Sequence, residues 1–341
     1  MKRASKFAGL VAIVGVALTS VSACSSTPAA EVVTGPWGDV VAAAEAEGHV
    51  NLYSVAPPVQ NARLVEAFNE QFPDISVTVT RGTGELPGRV QSEIRSASNG
   101  ADVFLYTDPQ FFVNLSDDLL DVNGPATIGW DDDFWAEKGK SIIVTKYPWT
   151  ILVWNTNTFP NGFSNWQDLL SPDAKGKIGM YRESSISNLA TVEYMRNELG
   201  SDYLMALGEQ DPKYYSSVVT MNQAIASGEI GVTMFTAPSI VTALQAQGAP
   251  MDFKETDPLY ALQWAGGAPA TSKRPNAARV FLDFVMSEAG QNAINGGGLG
   301  AAGREGIPGA LDVGNAELFE SSSFGPEKIN EMKKEVDLYF P

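Results

Sequence analysis

Residues 50–106 read VNLYSVAPPVQNARLVEAFNEQFPDISVTVTRGTGELPGRVQSEIRSASNGADVFLY, and this stretch decides the fold. Residues 50–54 are a short apolar run suited to a strand. Over residues 62–72, Leu64, Val65, Phe68 and Phe72 recur at helical spacing. Residues 75–80 alternate apolar positions with Ser and Thr, the period of a strand with one buried face. Pro87 suits the first turn of a helix, where its missing N–H has no intrahelical partner, and Val90, Ile94 and Ala97 line one side of that helix. Residues 102–106 supply a third strand. Strand, helix, strand, helix and strand in this order predict an α/β fold with parallel strands and right-handed connections.

Downstream the same alternation resumes after an irregular stretch. Strands are expected at residues 141–145 and 150–154, separated by Lys146-Tyr147-Pro148-Trp149. A second α/β unit follows, with strands at 177–181 and 230–235 and helices at 187–199, 218–226 and 238–247. A strand-like run returns near 262–269. Residues 276–287 form an amphipathic helix with Ala277, Val280, Phe281, Phe284 and Val285 inward. Asp131-Asp132-Asp133 lacks the alternating spacing of a calcium loop and reads as solvated carboxylates. Gly296-Gly297-Gly298-Leu299-Gly300 follows a helix and has no Lys-Ser/Thr, so it is a connector and not a phosphate cradle.

The N-terminus carries an address. Lys2, Arg3 and Lys6 precede an apolar, small-residue run over residues 7–23, the pattern of a secretory signal. The run ends in Val21-Ser22-Ala23-Cys24, and Cys24 is the sole cysteine of the chain. This quartet resembles the bacterial lipoprotein box, which implies lipid on Cys24. Acyl chains contribute about 0.8 kcal/mol per buried methylene, enough for several chains to hold a protein at a membrane without a spanning helix. A chain of 341 residues with no second cysteine must be stabilised by burial, and its length favours two lobes. The formal charge of −17 falls to −20 once the three basic residues of the signal are removed, leaving 20 basic against 40 acidic side chains. That balance argues against nucleic acid and anionic membrane as partners.

Further motifs carry a family resemblance. Trp37-Gly38-Asp39-Val40-Val41 through Gly48, leading into Val50-Asn51-Leu52-Tyr53-Ser54, resembles the opening of type II solute-binding proteins of ABC importers. It is similar to the branch that includes binders of ferric ion, phosphonates, thiamine and sugar phosphates. Ala101-Asp102-Val103, Val153-Trp154-Asn155-Thr156, Ser227-Gly228-Glu229, the run from Ala277 to Phe284, and Ser287-Glu288-Ala289-Gly290-Gln291 extend the likeness over residues 36–308. The resemblance implies a two-lobed type II periplasmic-binding-protein fold with two crossover strands at a hinge and solute in the cleft between lobes. The expected partition is a signal over 1–23 and a tether over 24–35. Lobe one takes 36–149 and 265–312, lobe two takes 150–264, and 313–341 is a C-terminal helical segment. The implied partners are a small-molecule solute and an ABC permease with its ATPase. The chain is expected to be an extracytoplasmic monomer, anchored to the cell membrane, without a cofactor.

In open α/β sheets ligands bind outside the carboxyl ends of the strands, where helix N-termini present free N–H groups. That rule selects residues 54–58, 82–87 and 106–110 in lobe one, and 182–187 and 235–239 in lobe two. The candidate ligand contacts are Ser54, Thr83, Gly84, Glu85, Asp108, Trp149, Arg182, Ser184, Ser185, Thr236 and Trp264. Arg182 with Ser184 and Ser185 suits a phosphate or carboxylate, although helix capping by either serine explains the hydroxyls as well. Glu85 either meets a ligand amine or stabilises the helix that Pro87 opens. On this reading the solute is a small organic anion or phosphorylated compound, and aromatics beside the crossovers cover it. Ferric iron fits poorly: where the iron-binding relatives place paired tyrosines, this chain has Thr236-Ala237-Pro238-Ser239, and Tyr214-Tyr215 lies about twenty residues earlier as packing under a loop. An extracellular hydrolase finds little support, since the single histidine is His49 and no Gly-x-Ser-x-Gly or His-Glu-x-x-His pattern occurs.

Overall fold

The computed structural model describes residues 31–82, 84–182, 185–314, 316–321 and 324–340. Cys24, Thr83 and Ser184 lie outside the described residues. In chain order the first elements are α1 (Trp37–Glu47), β1 (His49–Ser54), α2 (Pro58–Gln71), β2 (Ser76–Arg81), α3 (Leu86–Ser96), β3 (Val103–Tyr106) and α4 (Pro109–Val113). Next come β4 (Trp135–Glu137), β5 (Ser141–Pro148), β6 (Ile151–Asn155), β7 (Ile178–Tyr181), α5 (Ile186–Leu199), α6 (Ser201–Gly208) and β8 (Lys213–Tyr215). The chain continues through α7 (Val218–Ser227), β9 (Val232–Thr233), α8 (Pro238–Ala246), β10 (Met251–Glu255) and β11 (Tyr260–Gly267). It ends with α9 (Pro275–Met286), α10 (Glu288–Asn295), β12 (Glu317–Leu318) and α11 (Pro326–Tyr339).

Lobe one is built on a seven-stranded sheet in the order β2-β1-β3-β11-β5-β4, with β12 beside β11. Its β1 is parallel to both β2 and β3, as the opening stretch predicts. Register sets Val50 against Val77, Leu52 against Val79 and Ser54 against Arg81, so the carboxyl ends of β1 and β2 finish level. Phe68 of α2 packs on Phe281 and Phe284 of α9 at centroid distances of 4.9 and 5.3 Å, which locks two helices onto one face of the sheet. Asp102, fully buried before β3, accepts from the Asn51 N–H, from Ser272 Oγ and from Arg274 Nε, each at 2.7 Å. The α9 region is thereby tied to the first strands.

Lobe two is built on a five-stranded sheet in the order β10-β6-β9-β7-β8. The chain leaves lobe one between β5 and β6, at Trp149 and Thr150. It returns between Glu255 and Tyr260, because every strand partner of β11 belongs to the first sheet. The boundary expected at 264/265 therefore moves back by about five residues. The apolar run of β11 is buried along its whole length, so its composition carries no mark of the lobe it joins. Tyr214 and Tyr215 also differ from expectation. They form the edge strand β8, with Tyr214 beneath the Arg182 guanidinium and the Tyr215 hydroxyl donating to Glu229.

The C-terminal segment crosses the molecule a third time. Phe319 N–H donates to the Ala261 carbonyl in lobe one, whereas α11 lies against α5 and α6 of lobe two and buries Met332, Val336 and Tyr339. No helix among the described residues is long and apolar enough to cross a membrane.

Candidate ligand-binding cleft

A cavity of about 340 Å³ lies between the lobes, at the carboxyl ends of the strands. It has room for on the order of ten water-sized groups. Lobe one contributes Val55 and Pro57 after β1, Arg81 and Gly84 at the end of β2, and Tyr106 and Thr107 after β3. Lobe two contributes Tyr181, Ser185 and Ser187 around the start of α5, Ser216 to Val219 around the start of α7, and Ala237 and Ile240 at α8. Tyr147 and Trp149 from the outgoing crossing, with Leu262 and Trp264 from the return strand, form the floor. At one side of the cavity α2 and α8 meet across the cleft.

Three helices of lobe two thus begin at the cavity wall. Ser185 caps α5 by accepting from the Asn188 N–H at 3.4 Å, and Ser217 caps α7 by accepting from the Thr220 N–H at 3.5 Å. Each cap satisfies the third N–H and leaves the first two without an intrahelical acceptor. The partial positive charge of each helix start adds to these donors. Ala237 precedes α8 in the same wall, with Pro238 in its first turn.

Arg81 is the one charged side chain among the described residues that line the cavity. Its Nε donates to the Ala56 carbonyl at 3.0 Å, and its terminal nitrogens have no partner among the described residues. Asn61 Nδ2 donates to the same carbonyl at 2.9 Å, so the loop after β1 is held from two sides. The aromatic floor is rigid: Trp264 Nε1 donates to the Tyr147 hydroxyl at 3.1 Å, and Trp149 meets Tyr181 edge to face at 6.2 Å. Burial pushes the Tyr147 hydroxyl well above its ordinary pKa, so it stays protonated.

Of the residues expected from sequence, Gly84, Trp149, Ser185 and Trp264 lie in the wall. Thr83 and Ser184 lie outside the described residues, and the remaining candidates are placed elsewhere. Ser54 is buried, and its hydroxyl accepts from the Ala56 N–H at 3.1 Å. Thr236 is buried and accepts from Asn222 Nδ2 at 2.8 Å, while its N–H donates to the Trp149 carbonyl at 3.2 Å. Glu85 is exposed ahead of α3 and outside the wall. Asp108 caps α4 and also accepts from Ser321 Oγ; burial pushes its carboxyl up, and these hydrogen bonds oppose the rise. Arg182 turns away to pair with Asp337 at 2.8 Å and to cover the Tyr214 ring at 5.0 Å.

Sequence reasoning misses Arg81 because the strand-end rule begins that loop at Gly82, although a strand's last side chain also reaches the carboxyl edge. It misses Ser216 and Ser217 because β8, the short strand that leads into them, reads as packing under a loop.

A family model described as bacterial extracellular solute-binding protein matches residues 56–292. No curated protein matches the chain by sequence. Among solved structures, the substrate-binding protein of an ABC transporter from Agrobacterium tumefaciens superposes with a TM-score of 0.74 at 16% identity, covering 86% of this chain and 94% of that one. AfuA from Actinobacillus pleuropneumoniae, with fructose-6-phosphate bound, gives 0.65 at 18% identity over 85% and 98% of the two chains. Iron-bound HitA from Pseudomonas aeruginosa gives 0.62 at 18% identity over 85% and 98%. At these identities the likeness carries the fold and not the ligand.

Proposed function

The chain belongs to the bacterial extracellular solute-binding protein family, and from that premise we propose that it captures a small organic anion, such as a phosphorylated compound, in the interlobe cleft. It is a transport protein of an ABC system and not an enzyme. The observation that carries the anion reading is the charge pattern of the cavity. In a chain of net charge −17, the described residues of the wall include one arginine and no carboxylate, opposite the starts of three helices. A phosphate or carboxylate would receive a forked pair of charge-assisted bonds from Arg81 in lobe one and N–H and hydroxyl donors from lobe two. Each lobe then supplies part of the site, so the anion favours the closed arrangement by its extra contacts. The aromatic floor suits the apolar body of an organic solute.

Ferric iron has less support. Hard iron calls for anionic oxygen ligands, and the described residues of the wall offer tyrosines without a carboxylate or histidine, with Tyr147 kept protonated by burial. A polyamine meets the wrong sign of charge. The lipid anchor on Cys24 is part of the proposal and rests on the Val21-Ser22-Ala23-Cys24 quartet. The test is mass spectrometry of what co-purifies from the native host, followed by thermal-shift screening of organic phosphates and carboxylates against their neutral and amine counterparts. Saturable stabilisation by an anion is the expected result. Stabilisation by amines and by no anion, or anion stabilisation that survives unchanged in Arg81→Ala, would overturn it.

A further inference from the structure

On the far side of the hinge a second hollow of about 390 Å³ is lined by Tyr194 and Glu198 of α5, by Asp257 to Leu259 of the return crossing, and by Glu317 of β12. Its wall therefore joins lobe two, the crossing and lobe one. Among the described residues three carboxylates line it and no basic side chain does. The nearby cations are committed elsewhere: Arg196 pairs with Glu193 and Glu335, and Lys328 pairs with Glu193.

A second observation is independent of the acidic cluster. Tyr194 is only 4% exposed, yet its hydroxyl has no hydrogen-bond partner among the described residues. The hydroxyl is held above its ordinary pKa first by burial and then by Glu198, Glu317 and Asp257, the three carboxylates of the hollow. Tyr194 lines the same hollow as these three carboxylates. Its ring stacks on Tyr260 at 4.7 Å and 23°, and Tyr260 lies opposite Glu317 in the β11–β12 register. The hollow thus combines unneutralised negative charge, two stacked aromatic rings and a largely buried tyrosine whose hydroxyl has no partner among the described residues.

We propose that this hollow binds an organic ammonium ion at a site separate from the cleft, tying α5 of lobe two to β12 of lobe one across the return crossing. A metal ion suits it less well, because no group of three acidic, histidine or cysteine side chains among the described residues converges closely enough to hold one. A larger cation can meet spaced carboxylates with its ammonium groups, lay its carbon chain on the tyrosines and give the Tyr194 hydroxyl a partner. Because its contacts lie on both lobes, occupancy restrains the hinge.

The test uses calorimetric titration of the full chain with 1,4-diaminobutane, with 1,4-butanediol and NaCl at matched ionic strength as controls. Saturable one-to-one binding by the diamine alone is expected. It should weaken about ten-fold in the double variant Glu198→Gln/Glu317→Gln and several-fold in Tyr194→Phe, which keeps the ring. Arg81→Ala, a cleft variant, should leave it unchanged, and amide exchange over residues 257–260 should slow when the diamine is bound. A response matched by NaCl overturns the proposal, as does equal affinity in wild type and double variant. Diamine binding that strengthens in Arg81→Ala and is unchanged in the double variant would place the amine in the cleft, overturning this site and the anion reading together.

Discussion

Arg81→Ala is the substitution on which the cleft reading turns. The guanidinium spends one donor on the Ala56 carbonyl at 3.0 Å and has no ion-pair partner among the described residues. A charged group bonded to a ligand anion contributes about 1.5 to 3 kcal/mol. At tenfold per 1.4 kcal/mol, its removal should raise Kd by roughly 10- to 140-fold. The fold should tolerate the change within about 0.5 kcal/mol, because Arg81 is exposed and Asn61 continues to donate to the Ala56 carbonyl. Arg81→Lys should fall between the two, since it keeps the charge and loses the planar fork. Arg182→Ala is the matched comparison. Its guanidinium is already paired with Asp337 and seated over Tyr214, so its loss should move Kd by less than two-fold. The assay is isothermal titration with the solute identified from the native host, alongside denaturant unfolding of each variant. An Arg81→Ala affinity within two-fold of wild type, or a loss in Arg182→Ala of equal size, would refute the reasoning.

Three further outcomes are expected. Asp283, largely buried on α9 and accepting from the Ala126 N–H, has its carboxyl pushed up to about 6 by burial. The folded state therefore binds this proton more tightly than the unfolded chain, so its penalty is full above pH 6 and is relieved as pH falls towards 4. Asp283→Asn should gain on the order of 1 kcal/mol at pH 7.5 and nothing near pH 4, read as the variant-minus-wild-type difference in denaturation midpoint. Asp102→Ala leaves the fully buried end of the Arg274 pair without its carboxylate and should cost about 3 to 5 kcal/mol in urea unfolding, with Asp102→Asn milder. Cys24→Ser should move the protein from the membrane fraction of the host to the soluble or secreted fraction and abolish the lipid mass increment; unchanged fractionation would remove the anchor from the proposal.

Much of the fold was legible in sequence because burial imposes a period. Phe68 with Leu64, and Val77 with Val79, mark a helix and a strand at 3.6 and 2 residues, and β1, α2 and β2 lie within a few residues of where those periods put them. The short edge strand β8 has three residues with exposed or half-buried side chains, so no alternation announces it. The return crossing was misplaced for the opposite reason, since β11 is buried throughout and a uniformly apolar run marks no boundary. In the site, Trp149 and Trp264 were legible because a crossing strand must pass the cleft floor. Arg81 was not, because its role depends on the register that sets it level with Ser54.

Two of the three charged candidates that lie outside the cleft wall, Asp108 and Arg182, do so for one physical reason. Asp108 accepts from Ser321, 213 residues along the chain, and Arg182 pairs with Asp337, 155 residues along. Both partners belong to the C-terminal segment, which passes from the sheet of lobe one to α5 of lobe two. A charged side chain near a folded surface takes the nearest complementary group, since an unpaired charge in a partly desolvated site is costly. A loop rule based on strand ends cannot foresee a partner so distant in sequence, and it nominates every polar group at the carboxyl edge alike. The fold then divides them. Those that find an internal partner hold the loops in place, and those left without one, the Arg81 guanidinium and the first N–H groups of α5 and α7, remain to be satisfied by solute. The chemistry of the ligand is accordingly the complement of what folding leaves unpaired, and here that remainder is positive.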